Sequence, residues 1–384
     1  MFARASLLLA LGVFLSYLYV PSKPNESTSD VNITNKTQKV HMFLCADNGT
    51  YSGRHELHYI KDAMEDIRSV EIADCQTAFF GYLVKSTGER LPSLIVTTGI
   101  YVVSAAACTV NLMQDPRYEA LSIVYLGTAG ISPTVGGWNP NVVGGCGVLE
   151  KPNKNHLGSV CVTNAALLQE CGICYEETVK SECSRPNCVR HNDTTFFGRC
   201  AYRHPTSLAS MMREAMKGKE FPAPSSTVKE GMESFWKAHS AVEDRTPPAT
   251  PQLLNCAETD TSQILAGARS DLLCREYSHD LLPDIPLEDH TCVQAMEGFG
   301  FLHVMSRYPH VPIALVRAGS NYNMYPMSII GKDDDGTPIW SQNTTFMTEE
   351  EYNEYTRASY RYAVLTASTV VLNYFTGSPA VSVE

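Results

Sequence analysis

Charge is scarce in this chain: Asp, Glu, Lys and Arg make up 18% of its 384 residues. The balance is acidic, with a net charge of −11, and no cluster of Lys or Arg interrupts it. Without a basic patch the electrostatic footprint of nucleic-acid binding is missing, so no nucleic acid is expected as partner. A disordered chain is excluded as well, because 44% of the residues are hydrophobic and can bury a core. Beyond the N-terminus there is no apolar run of the roughly 20 residues that a membrane span needs. A channel built from several spans is therefore excluded. No internal repeat is present.

What is there begins with that N-terminal run. MFARASLLLALGVFLSYLYV places Arg4 ahead of an apolar stretch ending at Val20, the pattern of a secretory signal. No small-x-small cleavage site precedes Pro21, and Tyr17 and Tyr19 suit a membrane interface. Residues 1–20 are thus expected to be a signal peptide or an uncleaved signal anchor, held in the membrane through residues 5–20. Either outcome puts the remainder outside the cytosol, secreted or membrane-anchored. Residues 21–38 are polar, rich in Ser, Thr and Asn, and predict a flexible stalk. Asn25, Asn32, Asn35, Asn48, Asn192 and Asn343 each open an N-x-S/T glycosylation acceptor.

Residues 39–384 alternate short apolar runs with helical patterns, which predicts an α/β domain whose parallel or mixed sheet is covered on both faces. Strands are expected over 40–46, 78–84, 93–99, 122–129, 158–163 and about 252–257. Helices are expected over 54–68, 101–113, 205–217, 227–239 and 262–277. A long closing helix runs over 349–375, with Thr348 as N-cap and Glu351 completing a capping box. The loop GKDDDGTP precedes it.

Cys171, Cys174, Cys183, Cys188 and Cys200 mark a cysteine-rich insertion at 170–201. C-G-I-C followed by S-E-C-S-R-P-N-C and His191 also fits a zinc site. In an oxidising compartment disulfides are the default for such spacings, and no metal is expected. The 13 cysteines are an odd number, so at least one thiol is free or paired between chains. Cys108, in the small-residue helix, is expected to be a buried free thiol. His303 is expected to be a core residue.

The organising stretch is residues 291–326, TCVQAMEGFGFLHVMSRYPHVPIALVRAGSNYNMYP. Apolar residues at helical spacing over 296–307 are followed by PIALVRA, a run short enough for a central strand. In open α/β sheets ligands sit at the carboxyl ends of strands. Glu297, at the helix start, and Asn321, just past the strand, are therefore candidates to face one pocket. Met296-Glu297, followed by a strand and R-A-G-S-N, resembles the nucleoside phosphorylase and methylthioadenosine nucleosidase superfamily. Ser320-Asn321 with Tyr325-Pro326 is closest to its purine nucleoside permease-like branch. TTGIYVVSAAACTV (97–110) and LGTAGISPTVG (126–136) resemble the family's T-G helix entry and G-x-A-G loop.

The resemblance implies a three-layer α/β/α phosphorylase-like fold around a central mixed sheet, and a site that takes a purine nucleoside. Met296 and Glu297 would hold the ribose, whose oxocarbenium-like transition state a carboxylate stabilises. The other role open to Glu297 is a helix cap. Asn321 would hold the base; it donates and accepts hydrogen bonds but cannot transfer a proton, which suits a 6-oxopurine. As an Asn after a strand it also fits a left-handed turn. Ala129 and Gly130 would let the backbone approach sugar or base, and Glu258 and Asp260 would form the pocket rim. Thr98 and Gly99 at a helix N-terminus would offer donors to phosphate, joined by Gly49 and Arg54 from the loop after the first strand. Asp47 in that loop would be a base. Asn48, a sequon, would crowd it if glycosylated.

The reaction implied is cleavage at C1′ by phosphate, as co-substrate, or by water, with no other cofactor. A non-catalytic nucleoside-binding protein, serving transport or storage, is the alternative. A homo-oligomer is also implied, because superfamily members often borrow a residue from a neighbouring subunit.

Overall fold

The run QKVHMFLC forms strand β1 (Gln38–Cys45), and its packing explains its composition. Phe43 and Cys45 enter one hydrophobic cluster, Val40, Met42 and Leu44 another on the opposite face. A strand covered on both faces has no solvent side to fill with polar residues. The computed structural model describes residues 37–51, 53–135, 153–175, 187–190, 199–240, 242–262, 267–336 and 338–380. The expected signal or anchor, nearly all of the stalk and most of the cysteine-rich insertion lie outside the described residues.

After β1 come helix α1 (His58–Asp62), strands β2 (Met64–Val70), β3 (Thr77–Val84) and β4 (Arg90–Thr97), helix α2 (Val102–Gln114) and the long strand β5 (Tyr118–Ile131). Strands β6 (Val160–Thr163), β7 (Ala165–Leu168), β8 (Gly172–Tyr175), β9 (Asn187–Arg190) and β10 (Ala201–Arg203) follow. Helices α3 (Leu208–Ala215) and α4 (Ser226–Ala238) lead to β11 (Leu253–Leu254), β12 (Glu258–Asp260), α5 (Ala268–Leu281) and β13 (Val293–Ala295). The chain closes with α6 (Gly298–Met305), β14 (Ile313–Tyr322), the hairpin β15 (Met327–Lys332) and β16 (Pro338–Gln342), and α7 (Glu349–Thr376).

Among the described residues, 12 strands join one sheet with the main path β10-β7-β12-β13-β5-β1-β4-β3-β2. It is mixed: β5 pairs parallel with both β1 and β14, while β3 pairs antiparallel with β4 and β14 with β6. Ala363, Ala367 and Val370 of α7 and Leu208 and Met212 of α3 cover the Phe43 face. Ala105 and Leu112 of α2 and Phe301 and Met305 of α6 cover the other. Helix, mixed sheet and helix make the three layers expected. At the start of α7 the capping box is present: the Thr348 hydroxyl accepts from the Glu351 N–H at 3.3 Å, and the Glu351 carboxylate accepts from the Thr348 N–H at 2.9 Å. No helix among the described residues is long and apolar enough to cross a membrane.

Five expectations are corrected, the first being His303, which is exposed on α6 rather than in the core, its ring 2.7 Å from the Tyr202 hydroxyl. The helix read over 54–68 is only α1; residues 64–70 instead pair antiparallel with β3 as β2. An open edge of β3 needs partners for its N–H and C=O groups, and that demand overrides local helix propensity. The strand read over 252–257 breaks into the short β11 and, further on, β12, and the helix read from 262 begins at Ala268. Cys108 is not free: it is bonded to Cys75, 33 residues away. The free thiol among the described residues is the buried Cys45. Further disulfides join Cys161 to Cys256, Cys171 to Cys200 across the insertion, and Cys274 to Cys292.

Candidate active site

Arg317 is a lone charge inside the apolar strand β14, only 1% exposed. A guanidinium cannot shed its proton, so burying it requires acceptors. Glu258 of β12 supplies both oxygens: Nε of Arg317 donates to Oε2 at 2.9 Å and Nη2 to Oε1 at 2.9 Å. Nη2 also donates to Oε2 of Glu297 at 3.0 Å. The parallel pairing of β12 with β13, Asp260 opposite Ala295, brings Glu258 near Glu297, which follows β13 by two residues. Two glycines make room. A Cβ at Gly127 would collide with Nη1 of Arg317, and one at Gly298 with Oε1 of Glu258.

Glu297 holds the N-cap position of α6, yet its side chain makes no capping bond. It turns instead to Arg317 and lines a cavity of about 350 Å³. Its second oxygen has only a long contact, 3.4 Å from the Tyr101 N–H. Burial pushes its carboxyl up to about 7; Glu258 and Glu56 push the same way, while Arg317 pulls it down. Tyr101 is held at φ 81° and ψ 152°, a region that side-chain-bearing residues rarely enter.

At the other end of the cavity β14 bulges. Gly319 pairs with Ala129 and Asn321 with Gly130, which leaves Ser320 as the extra residue. Bulges re-aim side chains at strand ends. Asn321 is thus extended strand with φ below zero rather than a left-handed turn, and it stands exposed at the cavity. Ser320 Oγ donates to its Oδ1 at 3.0 Å, and its Nδ2 donates to the Tyr322 carbonyl at 3.3 Å.

The third wall comes from the loop after β1 and from α7. Asp47 is 3% exposed, and its carboxylate accepts the Thr50 and Tyr51 N–H groups at 2.8 and 3.2 Å, which ties down the loop. Glu56, nine residues on, is the group that sequence reasoning missed. Its Oε2 accepts the Ala46 and Asp47 N–H groups at 3.2 and 3.0 Å; its Oε1 accepts the Thr128 N–H at 3.1 Å and the Tyr360 hydroxyl at 2.9 Å. Burial raises its carboxyl in spite of those donors. Tyr352, Thr356 and Tyr360 line the cavity from α7 at four-residue spacing, one helical face.

One cavity therefore brings together Glu297, Met296, Asn321, Ala129, Gly130 and Asp47. Glu258 and Asp260 do not form its rim. Both are 0% exposed and lie behind Glu297, because the register of β12 points them at Arg317 and α6. The Asp260 carboxylate accepts the Phe299 N–H, its other oxygen has no partner among the described residues, and burial with Glu258 alongside holds its carboxyl well above the usual range. Thr98, Gly99, Gly49 and Arg54 stand outside the cavity wall. Thr98 is 2% exposed; its hydroxyl, 2.5 Å from the Tyr125 hydroxyl, donates to the carbonyls of Cys45 and Gly99. Arg317 was readable in principle, since one charge in PIALVRA demands a buried acid.

Protein-family models and curated proteins give no match to this chain. Solved structures do. One is the 5′-methylthioadenosine/S-adenosylhomocysteine nucleosidase of Neisseria meningitidis with methylthio-immucillin-A, at 13% identity, covering 87% of this chain and 98% of that one, TM-score 0.44. Another is the corresponding nucleosidase of Colwellia psychrerythraea 34H with adenine, at 13% identity, 88% and 95% coverage and TM-score 0.46. The futalosine hydrolase of Helicobacter pylori strain 26695 aligns at 10% identity, 87% and 97% coverage and TM-score 0.44. This chain is similar to them at that level.

Chemically, the cavity offers one carboxylate with an open oxygen at one end and one carboxamide at the other. A second, donor-rich carboxylate, Glu56, lines the same cavity.

Proposed function

We propose that this protein cleaves the N-glycosidic bond of a purine nucleoside, with water as the attacking group. The observation that carries this reading is the single cavity shared by Glu297, Asn321 and Glu56. The ribose hydroxyls donate to the open Oε1 of Glu297, which stabilises positive charge developing at the sugar. Glu56, its carboxyl raised by burial, takes the proton of a water that attacks C1′ as the Tyr360 hydroxyl turns from Glu56 Oε1 to Asp47 Oδ2, 3.2 Å away, and frees that oxygen. As the C1′–N9 bond breaks, its electron pair passes to the purine. Asn321 Nδ2 steadies the purine at N7, and because Asn321 is exposed, solvent delivers the proton that the carboxamide cannot.

Charge favours water over phosphate. Among the described lining residues the cation is Arg317, already held by Glu258 and Glu297, against the carboxylates Asp47, Glu56 and Glu297. A phosphate dianion would meet net negative charge. The disulfides support a reaction outside the cytosol, secreted or membrane-tethered, since such bonds are rare in reducing compartments.

The test is incubation of the purified protein with adenosine or inosine, with and without phosphate, following free base and free ribose. Base released without phosphate supports hydrolysis. Release that requires phosphate would replace water with phosphate. Binding without release would favour a non-catalytic nucleoside-binding protein, a reading that the neutral carboxamide at 321 supports.

A further inference from the structure

We infer that Glu258 is a positioning residue for the sugar end of the site: it never touches substrate, and it fixes where the Glu297 carboxylate stands. The inference rests on the ribose assignment of Glu297 proposed above. Two routes lead from Glu258 to that carboxylate. The first runs through Arg317, whose Nη2 is shared between Glu258 Oε1 at 2.9 Å and Glu297 Oε2 at 3.0 Å. The second runs through the backbone, because Glu258 Oε1 also accepts the Gly298 N–H at 2.9 Å, the peptide that directly follows Glu297. Glu258 therefore holds both the partner of Glu297 and the start of the helix that carries it.

The surroundings leave these groups little room to move. Glu258 is 0% exposed and Arg317 1%, and the Tyr125 ring lies 4.9 Å from the guanidinium carbon. The missing side chains of Gly127 and Gly298 are what let the guanidinium and the Glu258 carboxylate take their places. Glu297 Oε2 is thereby committed to Arg317, and Oε1, with only its 3.4 Å contact to Tyr101, is left for the sugar. An arginine free to swing between two acids would take the open oxygen as readily as the committed one. Fixing it through a two-oxygen fork to Glu258 removes that choice.

The test compares adenosine with 2′,3′-dideoxyadenosine, and inosine with 2′,3′-dideoxyinosine, as kcat/KM for wild type, Glu258→Gln and Glu258→Asp. Wild type is expected to prefer each ribonucleoside, and Glu258→Gln to lower that preference about tenfold, with the dideoxy substrate changing by less than about twofold. Glu258→Asp keeps the charge that Arg317 needs for folding but draws the carboxylate back by one methylene. It is expected to act in the same direction with a smaller effect, and it decides the matter if the Gln variant does not fold. A preference unchanged in the variants, or both substrates losing equally, overturns the positioning role. A wild type that cleaves both sugars equally well overturns the ribose assignment itself, and the inference with it.

Discussion

The two ends of the cavity are built in opposite ways. At the proposed sugar end Glu297, Arg317 and Glu258 are charged and buried, and they come from three separate segments of the chain. At the base end Asn321 is neutral and exposed, and its hydrogen-bond partners Ser320 and Tyr322 are its neighbours in sequence. Buried charges cannot be satisfied locally, because each needs an opposite charge with good geometry. A carboxamide at a strand bulge needs only the bulge. The sugar end is accordingly expected to be rigid and unforgiving, the base end adjustable.

The largest test of that contrast is Arg317→Met. It leaves Glu258 and Glu297 buried without their cation, and the expected loss is about 3–5 kcal/mol, measured by urea unfolding. Asn321→Ala is expected to stay within about 0.5 kcal/mol. If the two variants cost the same, the contrast is wrong.

Glu297→Ala comes next, with its effect on function rather than folding. Arg317 keeps the two-oxygen fork from Glu258, so the fold is expected to survive. Turnover of a purine ribonucleoside is expected to fall about 10²–10³-fold, the size seen when one stabilising group is removed from a transition state. Unchanged turnover or affinity would remove the ribose role.

The pH dependence of Glu297→Gln isolates the cost of ionising that carboxyl. Its folded value of about 7 lies above the ordinary 4.5, so between those values the fold keeps a proton that the unfolded chain releases. Stability is therefore lost as pH rises from 4.5 through 7, and none of that loss applies below 4.5. Glutamine cannot ionise. The variant should gain on wild type by on the order of 2 kcal/mol between pH 5 and pH 8, read from unfolding midpoints at both. An equal difference at the two pH values would mean that Glu297 is ionised at its ordinary value.

How much of this could be read from sequence follows the same division. The capping box of α7 depends on Thr348 and Glu351, three residues apart, and was legible. So were Met296-Glu297 and Asn321, because they sit beside apolar runs whose strand ends can be located. Asn321's left-handed turn was not borne out, since a bulge depends on register with β5, which one strand's sequence does not carry. Glu258 was noticed but misplaced, because its role depends on an arginine 59 positions away. Glu56 was missed because a charged residue in a loop looks solvated until Ala46, Thr128 and Tyr360 close around it. The pairing of Cys108 with Cys75 was hidden for the same reason.

The base end can be sharpened with Asn321→Asp. The site is exposed, so stability should change by no more than about 0.5 kcal/mol. A carboxyl there can be protonated and pass its proton to the leaving purine, which the carboxamide cannot do. An increase in hydrolysis of about tenfold is expected near pH 4, fading as pH rises toward 6, because an exposed carboxyl ionises near its ordinary value of about 3.9. A flat response across pH would show that departure of the base does not limit the rate.

The smallest effect belongs to Tyr101, where the sugar end meets the backbone. Its φ of 81° with ψ of 152° is a conformation that costs a side-chain-bearing residue roughly 1–3 kcal/mol, and glycine adopts it freely. Glycine also gives the unfolded chain more freedom, which returns up to about 1 kcal/mol. The side chain is 52% exposed, so little packing is lost on truncation. Tyr101→Gly is thus expected to raise stability by about 0.5–1 kcal/mol, seen as a rise of about 1 °C in Tm. The strained backbone also aims the Tyr101 N–H at Glu297 Oε1, and a relaxed loop would hold that N–H less firmly. Turnover of the ribonucleoside should fall about twofold to threefold while the dideoxy compound is unaffected, the usual exchange of activity for stability at a strained site. A drop in Tm would show that the backbone at Tyr101 is supported by its side chain and carries no strain worth relieving.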